Sequence, residues 1–219
     1  MRSHVKRVFD LTVSLLGLLV LWPVLAAVAL GIKLSGGGRA FFRQQRVGLG
    51  GRIFKIWKFR TMVENAEQLG KLLTVGPDPR ITPIGFWLRR SKLDELPQLF
   101  NVLRGDMSLV GPRPEVPHYV ERYSAGQRRV LNLMPGITDP ASIRYRNEND
   151  LLATSANPEQ TYTEEIMPEK IRLNLEYAVR ANLATDFAVI LKTVFGREEP
   201  SANSRCDQNQ QVSLGKNER

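Results

Sequence analysis

Two adjacent carboxylates, Asp94 and Glu95, lie in the stretch of this sequence that is best equipped for chemistry. The stretch runs from Leu88 to Pro114 and reads LRRSKLDELPQLFNVLRGDMSLVGPRP, with arginines before and after the acidic pair. Carboxylates can hold a divalent metal ion or attack phosphorus, and guanidinium groups can bind two phosphate oxygens at once. These residue types therefore indicate phosphoryl chemistry.

A purely structural interpretation of the same residues is also available. Acidic residues near the start of a helix often satisfy free backbone N–H groups and complement the helix dipole. Pro97 would fit the first turn of such a helix, where its missing N–H costs nothing. Arg89 and Arg90 would then be ordinary solvated charges, and composition alone favours this interpretation.

Resemblance to a known family overturns the structural interpretation. The central stretch, together with KIWKFRTM (Lys55 to Met62), DPRITPIG (Asp78 to Gly85) and MPGIT (Met134 to Thr138), resembles the motifs of the bacterial sugar transferases, the small monotopic phosphoglycosyl transferases. The motifs follow the family's order and extend over about residues 7–195. The resemblance implies an enzyme that moves a sugar 1-phosphate from a UDP-sugar to a polyprenyl phosphate and releases UMP.

The resemblance also implies roles for the residues of the site. Asp94 would attack the β-phosphorus of the donor and form a covalent aspartyl phospho-sugar, from which undecaprenyl phosphate then takes the phospho-sugar. Glu95 would position Asp94 or a Mg²⁺ ion, or relay a proton, so that both carboxylates are candidate metal ligands. The candidate substrate- and phosphate-binding residues are Lys58, Arg60, Arg80, Arg89, Asn101, Pro112, Arg113, Pro114 and Arg144.

The N-terminal segment is the second informative stretch. Between Asp10 and Lys33 lie 22 uncharged, mostly apolar residues, which as a straight helix would just span a bilayer core of about 30 Å. Pro23 lies in the middle and predicts a kink or break, while basic residues on both sides favour the cytosol for both ends. A re-entrant membrane helix broken at Pro23 satisfies both observations. A single-pass anchor stays open, whereas a cleaved signal peptide fits less well because the apolar run is too long.

Two positions depart from the family's pattern. Trp22 stands before Pro23 where the family usually has serine, and because Trp favours the membrane interface, the depth of the helix break is open. Asp139 stands where many relatives have glycine, which leaves the local turn and any sugar contact open. A few residues further on, Arg144 and Arg146 line the nucleotide or sugar pocket on one interpretation and belong to a solvated loop on the other.

The net charge of +9 and the pI near 10.0 indicate an anionic partner, which nucleic acid, a membrane surface or a phosphorylated substrate could provide. Basic and aromatic residues alternate from Phe41 to Arg60, a pattern that fits a nucleic-acid face or, more often, a hairpin beside anionic lipid head groups. The one cysteine, Cys206, excludes an intrachain disulfide framework. The sequence contains no G-x-G-x-x-G motif and no nucleophile elbow, which counts against Rossmann and hydrolase folds.

The remaining pattern predicts an α/β fold that is mostly helical with one small β-hairpin, whose turn is Gly48 to Gly51. Helical periodicity predicts helices at 63–73, 84–92, 119–133, 168–179 and 185–195. Thr185 or Asp186 could cap the last of these, and its apolar face would lie on the membrane as an amphipathic interfacial helix. The predicted divisions are the re-entrant helix (1–34), a cytosolic catalytic domain (35–196) and a disordered polar tail (197–219).

The expected partners are a UDP-sugar, a polyprenyl phosphate and lipids of the cytosolic leaflet of the bacterial inner membrane. No nucleic acid is expected, and a homodimer is left open. The reaction would be the first membrane step in the synthesis of a surface glycan, such as an exopolysaccharide, O-antigen, capsule or glycoprotein.

Two alternatives to this function are a basic scaffold and an ordinary glycosyltransferase. The scaffold would be tethered to the membrane and bind anionic lipid or nucleic acid without catalysis, but it gives no reason for Asp94 and Glu95 beside Arg89. The glycosyltransferase would release UDP rather than UMP. The sugar itself is open, since an N-acetylated hexosamine and a glucose- or galactose-type sugar are both compatible with the sequence.

Overall fold

The computed structural model describes residues 4–36, 38–66, 68–70 and 73–196, so that the predicted polar tail (197–219) lies outside the described residues. The helices are α1 (His4–Gly36), α2 (Pro83–Arg90), α3 (Gln98–Arg104), α4 (Pro117–Val120), α5 (Pro140–Arg144), α6 (Glu148–Ala153), α7 (Pro158–Thr161), α8 (Met167–Arg180) and α9 (Leu183–Phe195). The strands are β1 (Phe41–Val47), β2 (Ile53–Phe59), β3 (Ser108–Val110) and β4 (Gly136–Thr138). The mostly helical fold with a small antiparallel hairpin is thus confirmed.

The N-terminal helix α1 runs without interruption through Pro23. One side of it packs against α3, β3 and α2 and buries Leu18 and Ile32. The other side exposes large apolar side chains, among them Val5, Val8, Val13, Leu15, Leu16, Leu19, Val20, Trp22 and Leu30. The helix is long and apolar enough to cross a membrane. The helix is not interrupted at Pro23, where a break was predicted. The re-entrant path of this helix through the membrane stays a prediction.

Polar contacts hold α1 against the part of the fold that follows the acidic pair. Asp10 is fully buried and accepts a hydrogen bond from Ser108 Oγ of β3 at 2.7 Å. Arg7 donates to the carbonyl oxygen of Val102, near the C-terminal end of α3, at 2.7 Å. The apolar helix is therefore anchored to the same elements that surround the candidate site.

Strands β1 and β2 form the predicted antiparallel hairpin, in which Phe41 faces Phe59. The turn contains Gly50, whose φ of 65° lies in the left-handed region that favours glycine. Side chains alternate between the two faces of a strand, and the inward-turned face carries Phe42, Gln44 and Arg46 on β1 and Phe54, Ile56 and Lys58 on β2. This register places Arg46 and Lys58 on the same face.

The helix predicted at 63–73 is wrong for the described residues of that segment, which form turns and bends. Asn65 has a φ of 61°, a value that an α-helix excludes. Met62 pairs with Ile81 in an antiparallel β-bridge, which closes the segment into a loop. Contacts between distant parts of the chain therefore override the weak helical periodicity of this stretch.

The helix predicted at 119–133 is divided into two parts. Helix α4 ends at Val120, and a 3₁₀ turn occupies Gln127–Asn132. Between them, Ser124 N donates to the Gln127 side chain at 2.8 Å, and Gln127 N donates to Ser124 Oγ at 3.3 Å. This reciprocal arrangement starts a new helical turn, so the earlier helix cannot continue through it.

The two predicted C-terminal amphipathic helices are confirmed as α8 and α9, but the prediction named the wrong cap for α9. The cap is Asn182, whose side chain accepts from Thr185 N at 3.0 Å, while Thr185 Oγ1 accepts from Asn182 N at 2.9 Å. Asp186 is buried and binds Lys6 and Tyr177 instead. It therefore links α9 to α1 and α8.

Candidate active site

The acidic pair lies in the 3₁₀ turn Leu93–Glu95, between α2 and α3. Lys92, with a φ of 58°, turns the chain after α2 and starts this segment. Helix α3 begins only after Pro97, and no side chain makes a hydrogen bond at its N-cap. Neither carboxylate therefore caps the helix, so the capping part of the structural interpretation is wrong.

Asp94 lines the main cleft and is mostly buried, with 7% of its surface exposed. Within the described part of the chain, its carboxylate takes part in no hydrogen bond or ion pair. Burial and the adjacent Glu95 raise the pKa of Asp94 above its ordinary value, against the attraction of Lys58, Arg113 and Arg89. A carboxylate without a bound counter-ion keeps its lone pairs free for attack on phosphorus.

Glu95, by contrast, is held by two cations. Arg113 donates its Nη1 to Glu95 Oε2 at 2.9 Å and its Nη2 to Oε1, and Lys58 Nζ lies 3.3 Å from Oε1. Burial alone would raise the pKa of Glu95, but the charges of Arg113 and Lys58 hold it well below the usual range. The environments of the two adjacent carboxylates therefore push their pKa values in opposite directions, a pattern typical of catalytic pairs.

Lys58 reaches the site from strand β2, whose alternation turns its side chain inward. Burial lowers the pKa of Lys58 to about 8, although the neighbouring Glu95 opposes this shift. The ammonium group is therefore available to a phosphate at neutral pH but is near the point at which it loses its proton.

Arg89 and Arg90 follow each other on α2 and both border the cleft, but Arg89 is partly buried whereas Arg90 is exposed. Arg89 Nε donates to Thr61 Oγ1 at 2.9 Å, which fixes the guanidinium near Asp94. The helix comes this close because Gly85 has no side chain: a Cβ there would lie 2.0 Å from the carbonyl oxygen of Thr61.

Arg60 and Arg80 also line the cleft, and both are engaged with acidic neighbours. Arg60 Nη1 lies 3.1 Å from Glu64. Arg80 donates its Nε and Nη2 to the two oxygens of Asp78 at 2.9 and 2.6 Å. The ion pair between Arg80 and Asp78 holds the loop before α2 in place. Arg80 therefore has a structural contact in addition to its position in the cleft.

Asn101 has a structural position rather than a place in the cleft. It is fully buried, its Oδ1 accepts from Trp57 N at 2.9 Å, and its Nδ2 donates to Lys55 O at 2.9 Å. These bonds join α3 to the outer edge of β2. Asn101 therefore orients the site only indirectly, by fixing the strand that carries Lys58.

The remaining predicted residues are divided between the cleft and its surroundings. Pro112 and Pro114 flank Arg113, and their rings restrict the backbone on both sides of it. Arg144 is exposed at the end of α5 and lies outside the cleft lining. Arg146 lines the cleft, but its guanidinium binds carbonyl groups at the C-terminal end of α9.

The turn left open at Asp139 is the start of α5. Asp139 is fully buried, and its carboxylate accepts hydrogen bonds from Ser142 N at 2.9 Å and Ser142 Oγ at 2.6 Å. The side chain therefore caps α5. The charge of Glu95 is the main cause that raises the pKa of Arg113, and the negative charge of Asp139 adds to it.

The sequence analysis missed three side chains that belong to the walls of the cleft: Arg46, Glu115 and Tyr162. Arg46 donates to Glu115 at 3.3 Å, and the Tyr162 hydroxyl donates to the same carboxylate. One signal was available for Arg46, since a hairpin with its turn at Gly48 to Gly51 places Arg46 on the face of Lys58. Glu115 and Tyr162 carried no such signal.

The cleft that these residues line is open and has a volume of about 2890 Å³. Its lining includes Val13 and Ala29 of the apolar helix α1 as well as the polar start of α6 at 147–150. A pocket for one small ligand usually measures about 300–1,000 Å³. The cleft therefore has room for more than one substrate and joins apolar and polar surroundings.

The described residues contain no group of three or more His, Cys, Asp or Glu side chains that could hold a metal ion. Asp94 and Glu95 remain as adjacent carboxylates on the cleft. Mg²⁺ is often held by one or two carboxylates together with substrate phosphates and water. The pair therefore fits a Mg²⁺ ion that takes its other ligands from a bound diphosphate.

Comparisons with known proteins identify the family of the chain. The family model described as bacterial sugar transferase matches residues 1–197. A Bacillus subtilis protein provisionally named undecaprenyl-phosphate N-acetylgalactosaminyl 1-phosphate transferase is 45% identical over 134 residues, which are 61% of this chain and 71% of the relative.

Two further relatives are longer than this chain. The undecaprenyl-phosphate glucose phosphotransferase of Komagataeibacter xylinus is 40% identical over 86% of this chain and 35% of its own length. The UDP-glucose:undecaprenyl-phosphate glucose-1-phosphate transferase of Escherichia coli is 39% identical over 87% of this chain and 39% of its own length. The chain thus spans less than half of these two proteins. Because the family model matches most of the chain, this protein is a transferase of the bacterial sugar transferase family, as the resemblance of its motifs implied.

Proposed function

We propose that this protein transfers a sugar 1-phosphate from a UDP-sugar to a polyprenyl phosphate, undecaprenyl phosphate in particular, and releases UMP. The names of the three relatives support the acceptor, since each contains undecaprenyl phosphate. The observation that carries the proposal is the unlike pair of carboxylates: Asp94 unpaired on the cleft, and Glu95 held by Arg113 and Lys58.

In the first step, an Oδ atom of Asp94 attacks the β-phosphorus of the UDP-sugar. The bond between that phosphorus and the bridging oxygen of UMP breaks, and UMP leaves with the electron pair. Lys58 and Arg113 bind phosphate oxygens, for which the flat guanidinium group of Arg113 is suited because it can donate two parallel hydrogen bonds. The product on the enzyme is an aspartyl phospho-sugar.

In the second step, a phosphate oxygen of the polyprenyl phosphate attacks the same phosphorus. The bond from phosphorus to Asp94 breaks, its electron pair returns to the carboxylate, and a polyprenyl diphospho-sugar forms. Arg89 stabilises this step with a positive charge that Thr61 holds near Asp94. A covalent intermediate divides a difficult reaction between two polyanions into two easier steps.

We further propose Mg²⁺ as the cofactor, with Asp94 and Glu95 as its protein ligands. When bound, Mg²⁺ would offset the negative charge of the diphosphate, which otherwise repels a carboxylate nucleophile. Because Arg113 and Lys58 occupy Glu95 in this structure, metal binding requires them to exchange Glu95 for the phosphates. Turnover should stop when EDTA removes the ion and should resume when Mg²⁺ is added back.

We place the protein on the cytosolic face of the bacterial inner membrane, with α1 as a re-entrant helix. Helix α9 supports an interfacial position, because Phe187, Leu191 and Val194 form one exposed apolar stripe along it. Helix α2 likewise exposes Phe86 and Trp87. A water-soluble donor and a lipid acceptor would then meet at the level of the head groups.

The covalent intermediate can be tested by mass spectrometry of the intact full-length protein. The purified protein is mixed with Mg²⁺ and a panel of UDP-sugars without any lipid acceptor. We expect a mass gain of one phospho-sugar with the correct donor, which also identifies the sugar. Asp94→Asn should show no gain, while Glu121→Gln, a change at an exposed carboxylate away from the cleft, should behave as the wild type.

The other outcomes of this experiment contradict parts of the proposal. If no adduct forms and UMP appears only when polyprenyl phosphate is added, the transfer is direct and Asp94 is at most a metal ligand. Release of UDP instead of UMP would identify an ordinary glycosyltransferase. An absence of turnover with every donor and acceptor would support a scaffold without catalysis.

A further inference from the structure

Arg46 joins strand β1 to the segment that carries Arg113. Its Nη1 donates to the carbonyl oxygen of Pro114 at 3.1 Å and to Glu115 Oε1 at 3.3 Å. A backbone hydrogen bond beside it, from Val47 N to Glu115 O at 2.9 Å, joins the same two segments. The side chain of Arg46 is 17% exposed and forms part of the cleft wall.

The acceptor of this contact, Glu115, is itself fixed from a second direction. The Tyr162 hydroxyl donates to Glu115 Oε2, and Tyr162 opens the π-helical turn Tyr162–Ile166. The turn widens here because Pro168 has no N–H to donate to the carbonyl of Glu164, four residues earlier. Arg46 is therefore bound to a carboxylate that the helical framework holds in place.

The position of Arg46 relative to Glu95 is informative. The hairpin supplies one cation of Glu95 directly, through Lys58, and its other inward-turned cation, Arg46, binds the residue next to Arg113. Glu115 neutralises Arg46, so that the positive charge of Arg46 does not drive Arg113 away from Glu95. One face of the hairpin thus carries Lys58 and also contacts the segment that carries Arg113, the second cation bound to Glu95.

Arg46 is not placed as an arginine that serves stability alone. Its Nε is buried and has no hydrogen-bond partner among the described residues, although its other nitrogens reach Pro114, Glu115 and Gln44. A buried donor without a partner costs free energy. The fold keeps that cost while Nη1 binds the segment that follows Arg113 and Nη2 binds Gln44 of the same strand.

We infer that Arg46 is a positioning residue, which fixes the Arg113 backbone through the Pro114 carbonyl so that the Arg113 guanidinium meets Glu95 and the phosphates of the donor. This inference rests on the proposed phosphoglycosyl transfer. Arg46 acts through Arg113 and makes no contact with the reacting atoms. Its effect should therefore disappear when Arg113 can no longer perform its role.

The test is a double-mutant cycle on the rate of adduct formation, with full-length wild type, Arg46→Lys, Arg113→Lys and the double variant. Lysine keeps the charge at position 46 but lacks the planar guanidinium, whose Nη2 is fixed on Gln44 while Nη1 binds Pro114 and Glu115. We expect Arg46→Lys to lower the maximal rate about tenfold or more, since small misplacements of a catalytic group have effects of this size. The double variant should be no slower than Arg113→Lys alone, because residues that act as one unit are not additive.

Two controls separate this role from a general loss of structure. Arg52→Lys changes an exposed arginine in the turn of the same hairpin and should leave the rate unchanged. Tyr162→Phe keeps the ring in the core but removes one bond to Glu115, and it should slow adduct formation in the same direction as Arg46→Lys, by a smaller factor. Thermal unfolding of all variants shows which of them are folded.

The outcomes distinguish the inference from the proposed function. A double variant whose loss equals the product of the two single losses, or an Arg46→Lys protein as fast as the wild type, would overturn the inference and leave the function intact. A wild-type protein that forms no adduct with any UDP-sugar would refute the function and the inference together.

Discussion

Replacement of Arg113 by glutamine should destabilise the protein, because it leaves a mostly buried negative charge with less than half of its compensation. The Glu95 side chain is 15% exposed; Arg113 donates to both of its oxygens, whereas Lys58 makes one contact at 3.3 Å. Removing one partner of a fully buried ion pair costs about 3–5 kcal/mol. Since Lys58 remains and Arg113 is 32% exposed, solvent screening reduces the expected cost to about 2 kcal/mol.

The assay is thermal unfolding of the full-length protein in detergent micelles. For a chain of this length, 1 kcal/mol corresponds to about 2–4 °C, so Arg113→Gln should unfold about 4–8 °C below the wild type at pH 7. Adding Glu95→Gln to the same protein should restore part of the loss, because the buried carboxylate is then gone and only Lys58, whose pKa is already lowered to about 8, is left without its partner. Arg52→Gln, at the exposed hairpin turn, should leave the Tm within about 1–2 °C of the wild type.

The loss of thermal stability in Arg113→Gln should also depend on pH in a defined direction. The pKa of Glu95 in the folded protein lies well below its ordinary value because the attraction of Arg113 and Lys58 outweighs burial. Its ion pairs therefore stabilise the fold fully above the pKa of an unfolded glutamate, about 4.3, and this contribution is lost as the pH falls through the folded-state pKa. The difference in Tm should accordingly shrink toward acidic pH. A variant as stable as the wild type at pH 7, or a difference that is the same at neutral and strongly acidic pH, would refute the reasoning.

Three further predictions concern catalysis. Turnover should fall as the pH rises through about 8, where the buried Lys58 loses its proton. Lys58→Arg should shift this alkaline fall in rate to higher pH. Gly85→Ala places a Cβ 2.0 Å from the Thr61 carbonyl oxygen and should slow adduct formation about tenfold by displacing α2, whereas Gly36→Ala, with open space around it, should not. Phe187→Asp on the exposed stripe of α9 should slow the lipid-dependent release of the phospho-sugar, measured with polyprenyl phosphate in vesicles, while adduct formation in the absence of lipid stays unchanged.

The parts of the fold that the sequence predicted well have strong local signals. The hairpin has alternating side chains around a glycine-rich turn, and α8 and α9 each have a regular apolar stripe. The helices predicted at 63–73 and 119–133 were based on weaker helical periodicity. In the first, a β-bridge between distant residues decides the structure, and in the second the exchange between Ser124 and Gln127 does.

The candidate site was predictable in its residue types but not in its contacts. Lys58 and Arg113 do contact Glu95, with Asp94 beside it on the same cleft, and the resemblance of their motifs was the only indication that such distant positions would come together. Nothing in the sequence shows that Asn101 faces the edge of a strand rather than the cleft, because that depends on where α3 packs.

The different surroundings of Asp94 and Glu95 explain why the site has two adjacent carboxylates. Both Lys58 and Arg113 approach from the side of Glu95, while Arg89, nearer to Asp94, donates its Nε to Thr61. In the free enzyme, Glu95 therefore keeps the cations in place without pairing them with Asp94. A donor diphosphate brings negative charge that competes with Glu95 for these same cations. If the proposed function is right, Lys58 and Arg113 then move from Glu95 to the phosphates, which frees Glu95 for the metal ion. Asp94 is left beside the phosphorus that it attacks. A single exchange of ion-pair partners would thus couple donor binding to assembly of the reactive site.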